Sequence, residues 1–167
     1  MRIEQIKLNS YIRPEVKEIT SKEWVLNGIN NSFFQYIIDR YNGSPTNRAI
    51  IDSYSQFIYG KGLTSLEKNI KPLQFSMVQN ILPKKQLRPI VQDYSLYSES
   101  ALELVYKQGE LKSIYHVPTN QIAPNKMNDD GEIDIYWYSQ NFAKTMNNKP
   151  EPIDAWKPGD KRRNGSY

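Results

Sequence analysis

Between Asn31 and Tyr41 the apolar side chains Phe33, Phe34, Ile37, Ile38 and Tyr41 recur at intervals of one, three and four, while Gln35, Asp39 and Arg40 fall elsewhere. That spacing predicts an amphipathic helix with one buried face. Asn42-Gly43 should end it, because glycine reaches the left-handed conformation used at helix C-termini. Ser44 and Pro45 then open a second helix. The hydroxyl accepts from a free first-turn amide, and the proline ring lacks an N–H where none is needed. The period continues through Ile50, Tyr54, Phe57 and Ile58, broadened by Ile51, and Arg48 and Asp52 stand four apart as a surface pair. Gly60 and Gly62, flanking Lys61, stop the helix at Tyr59. The expected unit is a helical hairpin whose stripes, from Phe33 to Ile58, pack as two adjoining rods against a small sheet.

A further short helix is expected over Leu73–Leu82, and another through Leu87, Ile90, Val91 and Tyr94, which Pro83 and Pro89 start, kink or divide. From Ala101 the period changes to that of strands. ALELVYK, a Gln108-Gly109 turn and LKSIYHV form a β-hairpin with Leu111, Ser113, Tyr115 and Val117 on one face. A third strand, Glu132 to Ser139, follows the turn Asn128-Asp129-Asp130-Gly131 and extends the sheet, since two strands rarely stand alone. Helices first and strands afterwards give an α+β fold, a helix hairpin followed by a small antiparallel sheet. Residues 1–142 form this domain, and 143–167, rich in Pro, Asn and charge, are a polar linker or the start of an element continuing beyond the chain.

Composition narrows the function classes. A length of 167 residues suits one domain, or part of one. The hydrophobic fraction of 38%, with 12 Tyr and 3 Trp, is too high for general disorder. Lys and Arg number 22 against 18 Asp and Glu, a formal charge of +4 that permits an anionic partner without demanding one. The absence of cysteine excludes disulfides, thiolate zinc sites and cysteine nucleophiles. The first sixteen residues lack the apolar core of a signal peptide, and no run approaches the roughly 20 apolar residues of a membrane span, so a cytoplasmic setting with no membrane partner is expected.

No constellation of side chains asks for catalysis or a cofactor. The single histidine, His116, sits in a strand with no second histidine to share a metal, and reads as a packing or hydrogen-bonding residue. Asp129, Asp130, Glu132 and Asp134 cluster without calcium-loop spacing and read as a solvated turn, with a metal-assisted nuclease as the remote alternative. Gly60-Lys61-Gly62 follows a helix instead of opening one, which puts the phosphate-binding amides on the wrong side. No serine lies in a nucleophile elbow. Lys84, Lys85 and Arg88, then Lys161, Arg162 and Arg163, and the rings of Tyr136-Trp137-Tyr138 read first as a solvated helix face, a charged tail and strand aromatics shared between core and edge; the alternative is a weak, sequence-independent nucleic-acid contact at Lys84, Lys85 and Arg88.

The stretch WVLNGINNSFFQYIIDRYNGSPTNRAIIDSYSQFIYGKGL resembles the N-terminal region of tailed-bacteriophage portal proteins in its Ser44-Pro45 helix start and its Gly60, Gly62, Leu63 exit. Further on, His116 and Pro118, then Gly131, Ile133, Tyr136 and Trp137, look like the portal hairpin and the strand after it. The resemblance spans about Trp24 to Phe142 and lies in the order of individually loose motifs. Portals are several times longer, with stem, clip and crown downstream, so the match implies the wing region of a larger protein. It further implies a homo-oligomeric ring, typically of twelve subunits, at the capsid vertex of the virion. Its partners would be the terminase motor, capsid or scaffold protein and head-tail adaptor, with double-stranded DNA passing through. The portal itself hydrolyses nothing. A small non-catalytic DNA-binding module is the alternative reading.

Overall fold

The computed structural model describes residues 17–18, 23–144 and 149–157. Two short strands, β1 (Lys17–Glu18) and β2 (Val25–Leu26), pair antiparallel. Two left-handed asparagines, Asn30 (φ 55°) and Asn31 (φ 61°), then turn the chain into helix α1 (Ser32–Gly43). Asn31 is buried and earns its unusual backbone: its Oδ1 accepts from the Asn27 amide at 3.0 Å and its Nδ2 donates to the Asn120 carbonyl at 3.3 Å. Asparagine tolerates this region better than other non-glycine residues.

The α1 stripe buries Phe34 and Tyr41, with Phe33, Ile37 and Ile38 half-buried. Its end differs from expectation. Gly43 is the last helical residue and has no positive φ; the break falls on Ser44, whose extended backbone (φ −129°, ψ 106°) redirects the chain. The Ser44 hydroxyl accepts from the Asn47 amide at 3.3 Å, and Pro45 opens helix α2 (Pro45–Tyr59). Gly60, at φ 49°, closes it, donating to the Gln56 carbonyl at 2.8 Å. Helix α3 (Pro72–Ile81) begins on a proline. Helix α4 (Lys84–Tyr97) follows Pro83 and carries Pro89 inside without being divided.

Helices α1, α2 and α4 pack together, and α3 and α4 lie against the hairpin of β3 (Ala101–Lys107) and β4 (Glu110–Val117). Gln108 (φ 56°) and Gly109 (φ 78°) both take positive φ in the two-residue turn, the form that matches strand twist. Pairing runs from Lys107↔Glu110 to Ala101↔Val117 but shifts between Val105 and Tyr106, leaving Lys112 as an extra residue on β4. Such a bulge moves the alternation by one. As a result Ser113 and Ile114 are both half-buried, Tyr115 is 44% exposed instead of sharing the buried face, and His116 turns inward.

The strand expected to extend the hairpin does not join it. Over Ile135–Tyr138 it is β6, the centre of a separate antiparallel sheet between β5 (Ile122–Pro124) and β7 (Glu151–Asp154). β7 lies within the stretch read as a polar linker or the start of an element, and there the chain is a sheet edge. The architecture is α+β, helices followed by open antiparallel sheets. One core sits under the three-stranded sheet, with Leu26, Ala123 and Phe142 buried against Trp24 and Trp137, whose rings are 5.2 Å apart. Between the helices Phe34 meets the Tyr97 ring edge-on at 5.2 Å, and Val91 of α4 is also buried.

Candidate functional site

The α2 stripe does not pack as expected. Phe57 is 86% exposed, Ile50 63%, Tyr54 54% and Ile58 44%, and α2 has no buried residue. At 3.6 residues per turn these four side chains fall within an arc of about 100°. The half-buried side is formed instead by Asn47, Ile51, Ser55 and Tyr59. The expectation of two rods both burying their stripes is therefore corrected: α1 faces the core, and the apolar face of α2 faces out. Helix α3 is barer still. Leu73 is 77% exposed, Met77 and Val78 also face solvent, and Leu66 and Ile70 protrude from the turn before it.

Charge is scarce on both helices. α3 has no charged residue and α2 only the Arg48–Asp52 pair, whose Nε and Oδ2 lie 3.6 Å apart. Solvated amphipathic helices normally carry a charged polar face. The absence of charge was legible in the sequence for α3 alone, because α2 carries one Asp and one Arg as the core-facing α1 does.

Asp52 also serves α1. Its Oδ1 accepts from the Tyr41 hydroxyl at 2.5 Å, Gln92 of α4 donates to the same hydroxyl at 3.4 Å, and the Arg48 guanidinium lies 5.2 Å from the centre of the Tyr41 ring. The bond to Asp52, followed by burial, holds the Tyr41 phenol above its ordinary pKa. This cluster fixes the rotation of α2 about its axis, and with it the outward direction of the stripe.

Lys84, Lys85 and Arg88 come together on the first turns of α4, all exposed. The Arg88 guanidinium lies 5.3 Å from the centre of the Tyr59 ring, and a Cβ on Gly62 would sit 3.6 Å from Lys84 Cε, so their stems rest on the end of α2. Cations at a helix N-terminus oppose the macrodipole, a small local cost. The second basic group, Lys161 to Arg163, lies outside the described residues. Of the aromatic strand, Trp137 is committed to the core and donates Nε1–H to Asn125 Oδ1 at 3.1 Å, while the Tyr138 hydroxyl donates to Gln121 at 3.3 Å.

His116 is hydrogen-bonded. Its Nε2 donates to Asp93 Oδ2 at 2.8 Å, and the same oxygen accepts from the Thr119 amide at 3.2 Å and hydroxyl at 3.0 Å. Gln86 Oε1 accepts the His116 amide at 3.0 Å. Sequence reading missed Asp93, which joins α4 to the end of the hairpin; an aspartate on a helix carries no local mark of a distant partner. Burial, with a smaller contribution from the Asp93 charge, pushes the Tyr97 phenol up to about 12.

The acidic turn is locally satisfied. Asn128 Oδ1 accepts from the Asp130 and Glu132 amides, and Lys157 Nζ bonds Glu132 at 2.7 Å and Asp134 at 2.8 Å. The bond from Lys157, then that from Asn128 Nδ2 at 2.8 Å, lowers the Asp134 pKa. Among the described residues no cluster of three or more His, Asp or Glu fits a metal ion, and no helix is long and apolar enough to cross a membrane. Comparison with family models, with curated proteins and with solved structures finds no match.

Proposed function

We propose that the chain is a non-catalytic structural part of a multi-subunit assembly, and specifically the wing region of a phage portal ring at the capsid vertex. The observation that carries the general reading is the outward apolar face of α2 and α3, poor in charge, which costs solubility unless another surface covers it. The portal form rests on the ordered motifs: the Ser44-Pro45 helix start, the Gly60 and Gly62 exit, and the hairpin ending in His116 and Pro118. In this reading the ring, of about twelve copies in the family resembled, takes a terminase motor, capsid or scaffold protein and a head-tail adaptor as partners. Double-stranded DNA passes through it without base-specific contact. A charge of +4 per copy, repeated around a ring, favours such loose contact.

Expression of the complete gene product, followed by native mass spectrometry, negative-stain imaging and a search for the protein in purified particles, tests this. Closed rings and presence in particles are expected. A product that stays monomeric and never enters a particle sinks the proposal.

A second reading, a small DNA-binding module, is favoured by the exposed trio Lys84, Lys85 and Arg88, of which Arg88 lies over the Tyr59 ring and Lys84 beside Gly62. Titration with duplex and single-stranded DNA at several salt concentrations separates the two. Phosphate contacts by this trio give a salt slope that falls by roughly one per cation removed when the three are changed to alanine.

A further inference from the structure

We infer that β7 is a hinged strand, pinned at Pro150 and latched at Trp156 and Lys157, which swings off the three-stranded sheet as a unit and bares one edge of β6 while the rest of the fold stays closed. It concerns how a single copy opens and stands apart from the assembly reading above.

The two outer strands of this sheet are held differently. β5 lies on the core: Ala123 is 1% exposed, and Asn125 just beyond the strand bridges to Trp24. On β7 all four side chains, Glu151 to Asp154, are exposed. Regions with few buried apolar contacts open first, so apolar burial holds β5 far more firmly than β7.

The ladder with β6 remains. The Ala155 amide donates to the Asp134 carbonyl at 2.8 Å, and pairing runs from Ile135↔Asp154 to Tyr138↔Glu151. Antiparallel pairing alternates, so Ile153 and Glu151 share the inward side with Ala155, while Pro152 and Asp154 look outward. Pro152 therefore costs this ladder nothing. Its missing N–H falls on the outer edge, where a further strand would need a donor.

The two ends of β7 are fastened by different means. Pro150, immediately before it, is buried and its ring fixes φ, which makes a pivot. Beyond it, Trp156 Nε1–H donates to the Tyr106 hydroxyl of β3 at 3.2 Å, and Lys157 Nζ reaches Glu132 at 2.7 Å and Asp134 at 2.8 Å. These contacts are solvent-exposed, so water and salt compete with them. Opening should start at this latch and run back to the buried pin. It strips the β7 side of Tyr136 and Tyr138, while Trp137 stays on Trp24 and Asn125.

Hydrogen exchange of the full chain, read residue by residue, tests this. The Asn125 and Ser139 amides bond Ile135 and Gln121 across the β5 side of β6. They should outlast the Ile153 and Ala155 amides by at least roughly tenfold. Lys157→Ala and Trp156→Phe are surface changes whose retained fold circular dichroism checks. Each should speed exchange at Ile153 and Ala155 by about 2- to 5-fold and leave Asn125 and Ser139 unmoved. Salt at about 1 M should reproduce the Lys157→Ala effect in the wild type and add little to that variant. Equal protection on both sides of β6 overturns the inference, as does an Ile153 amide that neither variant moves. A loss that spreads to Asn125 and Ser139 does so too, since the strand then opens only with the whole sheet.

Discussion

Helices α1 and α2 share one sequence pattern and opposite fates. Both carry a stripe at helical period and sit side by side, yet Phe34 on α1 is 3% exposed and Phe57 on α2 is 86% exposed. The comparison teaches that apolar periodicity fixes where a helix has a sticky face without saying whether the partner belongs to the same chain. Charge does not separate the two, since each carries one Asp and one Arg; what separates them is the side that packs, α1 setting Phe34 against Tyr97 while α2 turns Asn47, Ile51, Ser55 and Tyr59 inward.

Truncation should expose this contrast most strongly. Phe34→Ala empties a site packed against Tyr97 and is expected to cost about 3–5 kcal/mol, whereas Phe57→Ala should stay within about 0.5 kcal/mol for the isolated subunit. Urea unfolding at low protein concentration measures both, and equal losses would erase the distinction. Asp93→Ala leaves the Thr119 amide, the Thr119 hydroxyl and the His116 ring without their shared acceptor, and should cost about 2–4 kcal/mol.

A pH series sharpens the view of the inner side. The folded Tyr97 phenol keeps its proton to about pH 12, above the ordinary value of 10.0, so the native state binds that proton more tightly than the unfolded chain. Its contribution is complete below pH 10 and is lost as pH climbs from about 10 to about 12. Tyr97→Phe should flatten the alkaline fall in stability over that window, read from denaturant midpoints. A smaller loss than at Phe34 or Asp93 is expected at the join between the two helices, where Ser44→Ala removes the cap of α2 for about 1 kcal/mol.

Local chemistry was readable where local sequence decides the geometry. Ser44-Pro45, Gly60 and Gln108-Gly109 each act within four residues, and each was visible as punctuation. The α+β order followed from the change in period near Ala101. Long-range choices were not readable. β6 pairs with β5 and β7 because Trp137 reaches Trp24 and Asn125, a closure no spacing along the chain specifies. The bulge at Lys112 likewise depends on the strand opposite, and it separates Leu111 from the face expected to be shared with Ser113, Tyr115 and Val117. Of the candidate site, Lys84, Lys85 and Arg88 were legible as a group on one helix end, while the outward turn of α2 depends on Asp52 accepting from Tyr41 of α1, whose hydroxyl in turn accepts from Gln92 of α4.

The convergence of three donors on a single oxygen of Asp93 makes the junction of helix and hairpin an all-or-nothing fastening. Loss of that one carboxylate would release all three donors at once, so the end of the hairpin should loosen from α4 in a single step, and deuterium uptake at the Thr119 amide would time that parting.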